Sequence, residues 1–229
     1  MSKDPTGRMH VTVRTGGKRK LSSKLWLERQ LNDPYVAQAK RAGLRSRAAY
    51  KLIEIDDKYR LLKRGLTVID LGAAPGGWSQ IAARRVGAPE GNGKVVAIDL
   101  LAMPDIPGVS FAQLDFLAAD APDRLLAMIG GRTDVVLSDM AASATGHQRT
   151  DHLKIMALAE TAYVFAAEVL APGGTFIAKV LQGGATGDLL KELKRDFEEV
   201  RHVKPAASRK DSAEIYVVAL SFRGRSRSA

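Results

Sequence analysis

The sequence predicts an α/β fold: one mostly parallel, seven-stranded sheet with helices on both faces and an antiparallel terminal hairpin. Three observations carry this. From residue 67 onward, strand-like and helix-like patterns alternate along the chain. The strand segments, such as Val68-Ile69 and Val135-Val136-Leu137, are nearly continuous apolar runs, as expected of strands covered on both faces. The last two strand segments, 200–203 and 213–222, have no helix between them, so they must run antiparallel.

Taken in order, residues 23–30 read as a short helix, and Ser46 is placed to cap a longer one reaching about Tyr59, with Ala49, Leu52, Ile53 and Tyr59 or Leu62 on its inner stripe. Strand 67–71 is followed by helix 77–86, strand 94–99 and strand 109–113. Helix 122–129, strand 134–138, helix 151–170, strand 174–180 and helix 188–197 lead into the final strand pair. This order resembles that of the Rossmann-like methyltransferases dependent on S-adenosylmethionine. We expect a basic N-terminal extension over 1–45, unordered over 1–21 or so, a catalytic domain over 46–222 and a basic tail over 223–229.

Composition narrows the chemistry. At 229 residues with 45% hydrophobic and 26% charged side chains, the chain can build one sizeable core. It has no cysteine, so disulfides, thiolate zinc sites and cysteine nucleophiles are excluded. Its four histidines, His10, His147, His152 and His202, lack metal-ligand spacing, and no metal is expected. No apolar run approaches the roughly 18 residues of a membrane span and the start carries no secretory signal, so a cytoplasmic protein without a membrane partner is expected. The charge of +10 is unevenly placed: residues 1–51 hold 13 Lys/Arg against 3 Asp/Glu, and the remainder holds 22 of each. A neutral body behind a basic segment points to a polyanion partner such as RNA; a solubilising tail is the alternative.

The most informative stretch is Val68-Ile69-Asp70-Leu71-Gly72-Ala73-Ala74-Pro75-Gly76-Gly77-Trp78-Ser79. Glycines after a buried strand let the backbone turn tightly and approach a ligand. A dinucleotide fingerprint would need glycine where Ala74 stands, and a P-loop would need lysine where Trp78 stands. The stretch instead resembles the methionine-binding loop of methyltransferases. Asp99 ends the second strand, where an acid can accept hydrogen bonds from both ribose hydroxyls of an adenosine. Asp115 follows the third strand, placed to hold the adenine amino group with Phe116 stacking on the ring, though both acids can equally be ordinary turn carboxylates.

Geometry brings a second set together. In an open α/β sheet the ligand crevice lies at the carboxyl ends of the parallel strands. Asp139 ends the fourth strand and Lys179 nearly ends the fifth; an antiparallel last strand begins at that same edge, with Glu214 near its start. If the last strand neighbours the fifth, a spacing of about 4.8 Å between strands gathers all three in one cleft.

The segments Gly43 to Leu52, Asp70 to Gln80, Ser138-Asp139-Met140-Ala141, Ala178-Lys179-Val180 with Gln182-Gly183, and Glu214-Ile215-Tyr216 resemble, in order and spacing, the FtsJ/RrmJ (RlmE) family. The resemblance implies a 2'-O-methyltransferase of large-subunit (23S) ribosomal RNA acting on a uridine ribose, with S-adenosylmethionine as cofactor. It implies Lys51, Asp139, Lys179 and Glu214 as the catalytic set and Lys179 as base. Cofactor contacts would come from Asp70, Gly72, Pro75, Gly76, Gly77, Trp78, Asp99, Asp115, Phe116 and Asp139, and RNA contacts from Arg41, Arg45, Arg47 and Lys51. One departure is Ala142-Ser143, where the family commonly has Pro-Asn.

The chemistry is coherent. A sulfonium makes the methyl group electrophilic, so the remaining difficulty is a weakly acidic ribose hydroxyl. A lysine serves as base only if its pKa is lowered, which burial and a second cation such as Lys51 can do. Lys51 can instead pair with Glu54 on a solvated helix face, and Glu214 can be an edge-strand surface acid. A lone lysine inside the apolar run 176–181 is harder to explain without a partner. Carbon-5 pyrimidine methylation lacks its cysteine, and base amino methylation lacks its Asn/Asp-Pro-Pro-Tyr loop: Asn32-Asp33-Pro34-Tyr35 precedes the first strand and has one proline. Two further readings stay open: the same chemistry on transfer RNA or a messenger cap, and a non-catalytic RNA-binding or ribosome-assembly module. A monomer is expected.

Overall fold

Fourteen elements follow one another in the computed structural model, which describes residue 12 and residues 21–142, 145–182 and 187–224. The expectations for the start of the chain, for Ser143, for Gly183 and for the tail beyond residue 224 fall outside the described residues. The helices are α1 (Leu21–Asn32), α2 (Pro34–Arg41), α3 (Ala49–Tyr59), α4 (Gly77–Val86), α5 (Ala121–Ile129), α6 (Gln148–Val169) and α7 (Gly187–Asp196). The strands are β1 (Thr67–Leu71), β2 (Lys94–Asp99), β3 (Val109–Gln113), β4 (Thr133–Ser138), β5 (Leu170–Leu181), β6 (Phe197–Val203) and β7 (Glu214–Phe222).

Among the described residues these strands form one sheet in the order β3-β2-β1-β4-β5-β7-β6. The first five are parallel, and β7 runs antiparallel to both β5 and β6. The expected neighbour relation of the last and fifth strands is therefore present, with Lys179 opposite Tyr216 and Leu181 opposite Glu214. Apolar side chains cover both sheet faces. On one, Ile69, Val96, Val136 and Phe176 pack with Leu125, Tyr163, Phe165 and Leu193 from α5, α6 and α7. On the other, Val68, Val95, Leu137 and Tyr216 pack with Leu52, Ile55, Trp78 and Ile81 from α3 and α4.

Three expectations about the helices differ from the structure. Helix α2 was not predicted, although its signals are present: the Asp33 carboxylate caps it by accepting from the Tyr35 N–H at 3.0 Å, and Pro34 occupies its first position. Ser46 does not cap α3; Ala48 stands at the cap without a side-chain bond. The Ser46 hydroxyl is buried without a hydrogen-bond partner against Gly77, where a Cβ would lie 2.2 Å from it. Ile53, expected on the inner stripe, is only partly buried; Ile55 and Asp56 turn inward instead. Asp56 is held there because its carboxylate accepts from the N–H groups of Leu61 and Leu62 at 2.8 and 2.7 Å, stopping the chain after the helix.

Candidate active site

The carboxyl edge of β1, β4 and β5 and the start of β7 converge on one cluster. Lys179 is buried near the end of β5, and its Nζ donates to the Asp139 carbonyl at 2.6 Å and to Asp139 Oδ1 at 3.1 Å. Lys51, buried on α3, donates to Glu214 Oε1 at 2.6 Å and to the Tyr216 hydroxyl at 3.0 Å. The pairing of Lys51 with Glu54 does not form: Glu54 Oε1 accepts instead from the Ala207 N–H at 3.0 Å. All four residues of the expected catalytic set thus meet at one place.

Tyr216 joins the two halves. Its hydroxyl donates to Asp139 Oδ1 at 2.8 Å, with Glu214 Oε1 at 3.2 Å as the alternative acceptor, while accepting from Lys51. Burial, then the charges of Asp139 and Glu214, push this phenol far above its ordinary range, so it remains a proton donor. The ring packs on Trp78 at 5.4 Å. Ser208 adds a further bond, its hydroxyl donating to Glu214 Oε1 at 3.1 Å. Burial pushes Glu214 up, but the Lys51 charge and hydrogen bond, then Lys179 and Ser208, outweigh it and leave the carboxyl below its usual value. Sequence reasoning missed Tyr216 and Ser208. For Tyr216 a signal existed, since a residue two beyond Glu214 on a strand shares its face; nothing in the sequence marked Ser208.

Tyr216→Phe is expected to lower the single-turnover methyl-transfer rate by roughly tenfold while costing only about 1 kcal/mol of stability. Each charged group retains one partner, so urea unfolding separates lost alignment from lost folding.

Beside this cluster, the carboxylates of Asp70, Asp99 and Asp115 lie at or just beyond the ends of β1, β2 and β3. Asp70 is fully buried, with Oδ2 accepting from the Ser79 hydroxyl at 2.6 Å and Oδ1 without a partner. Burial first, then the nearby charges of Asp139 and Asp99, raises its pKa to about 7 against the lowering effect of Ser79. Asp99 accepts from the N–H of Ala74 at 2.9 Å and of Leu101 at 2.8 Å, fastening the glycine-rich turn to the end of β2. Asp115 is exposed one strand further out and accepts from the Leu117 N–H at 2.9 Å. Phe116 is buried with its ring edge-on to Phe165 at 5.8 Å.

The turn itself is left-handed at Gly72 and Gly76, with φ of 79° and 99°. A Cβ on Gly72 would lie 2.9 Å from the Met140 Cα, and one on Gly76 would lie 2.6 Å from Ile106 Cδ1. Pro75 follows a cis peptide bond. The Trp78 indole, expected at the cofactor, is buried in the core and donates to the Ala48 carbonyl at 2.8 Å.

The basic residues of the N-terminal segment are placed differently from one another. The Arg45 guanidinium donates to the carbonyls of Pro104 and Asp105 at 2.6 and 2.5 Å. Arg47 pairs with Asp33 at 2.9 Å and donates to the Ala207 carbonyl at 2.5 Å. Arg41 is exposed at the end of α2.

Strand order, glycine-rich turn and strand-end carboxylates together define the class as an α/β Rossmann-like methyltransferase. Residues 44–222 match the model of the FtsJ-like methyltransferase family, and the chain belongs to that family. S-adenosylmethionine is the methyl donor of this family. Among curated relatives, Ribosomal RNA large subunit methyltransferase E of Nitrobacter hamburgensis is 73% identical over 224 residues, covering 98% of each chain. The protein of the same description from Bradyrhizobium diazoefficiens is 71% identical, again over 98% of each chain. Among solved structures, a ribosomal RNA methyltransferase from Plasmodium falciparum superposes with a TM-score of 0.68 at 34% identity, covering 79% of this chain and all 100% of that one.

Proposed function

We propose that this protein methylates the 2'-hydroxyl of a uridine ribose in 23S ribosomal RNA of the large ribosomal subunit, with Lys179 as general base. The names of its relatives support the ribosomal RNA substrate. The observation that supports the base is the geometry of Lys179. A lysine ammonium has three N–H donors, and two here point to the carbonyl and Oδ1 of Asp139. A neutral amine keeps two donors and one lone pair, so the same two bonds can persist while the third position takes up a proton. Asp139 thereby aims the lone pair, and Lys51, tied to Glu214 and Tyr216, supplies the second cation near the developing alkoxide.

The residues fit S-adenosylmethionine. Asp70 offers a buried, unpartnered carboxylate oxygen suited to a cationic ligand, and the left-handed Gly72 and Gly76 allow backbone approach without a Cβ in the way. Pro75, Gly77 and the Trp78 N–H shape the turn and the first turn of α4. Asp99 and Asp115 stand where the ribose and adenine would lie, with Phe116 bounding the adenine side. When bound, the cofactor supplies a methyl group on a sulfonium. Arg41, Arg45, Arg47 and Lys51 are assigned to the RNA side; of these, Arg41 is the exposed one, while Arg45 and Arg47 also brace the protein.

The N-terminal extension, the catalytic domain over 46–222 and the basic tail are proposed as the working division, and the protein as a cytoplasmic monomer. Among the described residues no helix is long and apolar enough to cross a membrane. Ribose methylation is checked by incubating the protein with labelled S-adenosylmethionine and large-subunit particles from cells lacking it. We expect one 23S nucleotide to become resistant to alkaline cleavage on its 3' side; label on a base, or in transfer RNA alone, overturns the assignment.

A further inference from the structure

A cavity of about 530 Å³ lies between the α1–α2 junction and the connection from β6 to β7, its walls including Arg29, Tyr35, Arg47, Ser208, Arg209 and Lys210. We propose that it binds a nucleotide flanking the target ribose, with the base inside against Tyr35 and the adjoining phosphates at Arg29, Arg209 and Lys210. This rests on the RNA methyltransferase reading above and extends it to a site outside the catalytic cluster.

Position is the first argument. Ser208, nearly buried, forms part of the cavity wall while its hydroxyl donates to Glu214 at 3.1 Å. The cavity and the catalytic cluster therefore share Ser208, which sets the cavity beside the cluster on its Glu214 side, as a site for a nucleotide next to the target requires.

The frame is built rather than incidental. Asp33 caps α2 through one oxygen, while the other pairs with Arg47 at 2.9 Å and with Arg209 at 3.5 Å, tying the helix junction to the far loop. That loop is clamped at Ala207, whose N–H donates to Glu54 and whose carbonyl accepts from Arg47. Lys204 Nζ closes it from the other end, donating to the carbonyls of Lys210 and Ser212 at 3.3 and 2.8 Å. A loop held at both ends is organised before the ligand arrives, which reduces the ordering cost of binding.

The chemistry of the walls selects the ligand. A site for a bare anion would not carry Glu28, Asp33 and Asp211 beside its cations. A nucleotide wants both: cations for phosphate, an aromatic or guanidinium surface for the base plane, and acceptors or amides for the base edge. Asn32, Glu28 and Asp211 stand in the same walls with polar groups of that kind, and the volume falls in the range of small-ligand pockets.

The test uses the full chain with the double substitution Arg29→Ala and Lys210→Ala, which leaves the framing bonds in place because Lys204 reaches the Lys210 backbone. The same RNA is used for steady-state methylation, filter binding and 4-thiouridine crosslinking. We expect KM for 23S-containing particles to rise on the order of tenfold with kcat within about twofold. The log–log salt slope should shrink by about 1.4, the value for two lost single-strand phosphate contacts. A control pair on α7, Lys191→Ala with Lys194→Ala, should change neither. Crosslinks should map to residues 28–35 or 206–211. A double variant that behaves like the control, or crosslinks confined to other segments, overturns the proposal. If the wild type binds RNA but transfers no methyl group, the enzymatic reading fails, and binding and crosslinking still decide the cavity.

Discussion

Lys179→Ala is expected to reduce kcat for ribose methylation by a factor of roughly 10² to 10⁴, the usual contribution of a positioned general base. The loss should fall on the chemical step, since Lys179 bonds to Asp139 and not to the glycine-rich turn. S-adenosylmethionine binding, measured by calorimetry, should stay within a few-fold of wild type. Asp139 keeps the Tyr216 hydroxyl as a partner, so the variant should remain folded. Undiminished turnover in the folded variant removes Lys179 from the role and leaves the cluster as a structural ion-pair network.

Asp70→Asn is expected to stabilise the free protein at alkaline pH. The Asp70 carboxyl has a pKa raised from 3.8 to about 7 in the folded chain, by burial first and by Asp139 and Asp99 next. Below 3.8 it is protonated in both states and exacts no penalty. As pH rises from there, the unfolded chain releases this proton while the folded chain retains it, so stability falls until pH passes about 7. The full penalty is roughly 4 kcal/mol, taking about 1.4 kcal/mol for each unit between the two values. Asparagine carries no charge and can still accept from Ser79, so it avoids the loss. In urea unfolding, the advantage of the variant over wild type should grow by about 2 kcal/mol between pH 5.5 and pH 8. An advantage independent of pH shows that Asp70 is ionised in the free protein throughout. The penalty is consistent with a site prepared for a cationic ligand: the buried acid is costly alone and is relieved when a positive charge arrives.

Much of the fold is legible because its signals are local. The apolar runs of β1, β2 and β4, the glycines after β1 and the missing helix between β6 and β7 each act within a few residues, and each expected element appears within a few residues of its predicted bounds. Where expectation and structure part, a long-range contact has overridden a local one. Ser46 has the right residue type for a cap, yet the close approach of α4 at Gly77 takes its hydroxyl into a buried contact. The strand predicted from Gly174 begins at Leu170, immediately after α6, because Leu170 pairs with Thr133 before the register shifts around the Pro172-Gly173-Gly174 turn.

The candidate site divides along the same line. The arrival of Asp139, Lys179 and Glu214 at one sheet edge follows from strand direction once the last strand lies beside the fifth, whereas Lys51, on a helix, was marked only by the family resemblance. Which lysine faces which acid does not follow, because side-chain pairing across elements far apart in sequence depends on register and on the path of α3 over the sheet. That packing sends Lys51 to Glu214 instead of Glu54, makes Tyr216 the shared hydroxyl between both halves, and carries Ser208 from an unremarked loop to the wall between the catalytic cluster and the adjoining cavity. Periodicity and composition are properties of neighbours along the chain, so they determined the sheet and its ligand edge; the hydrogen-bond network joins residues up to 165 positions apart, and only the folded packing could decide it.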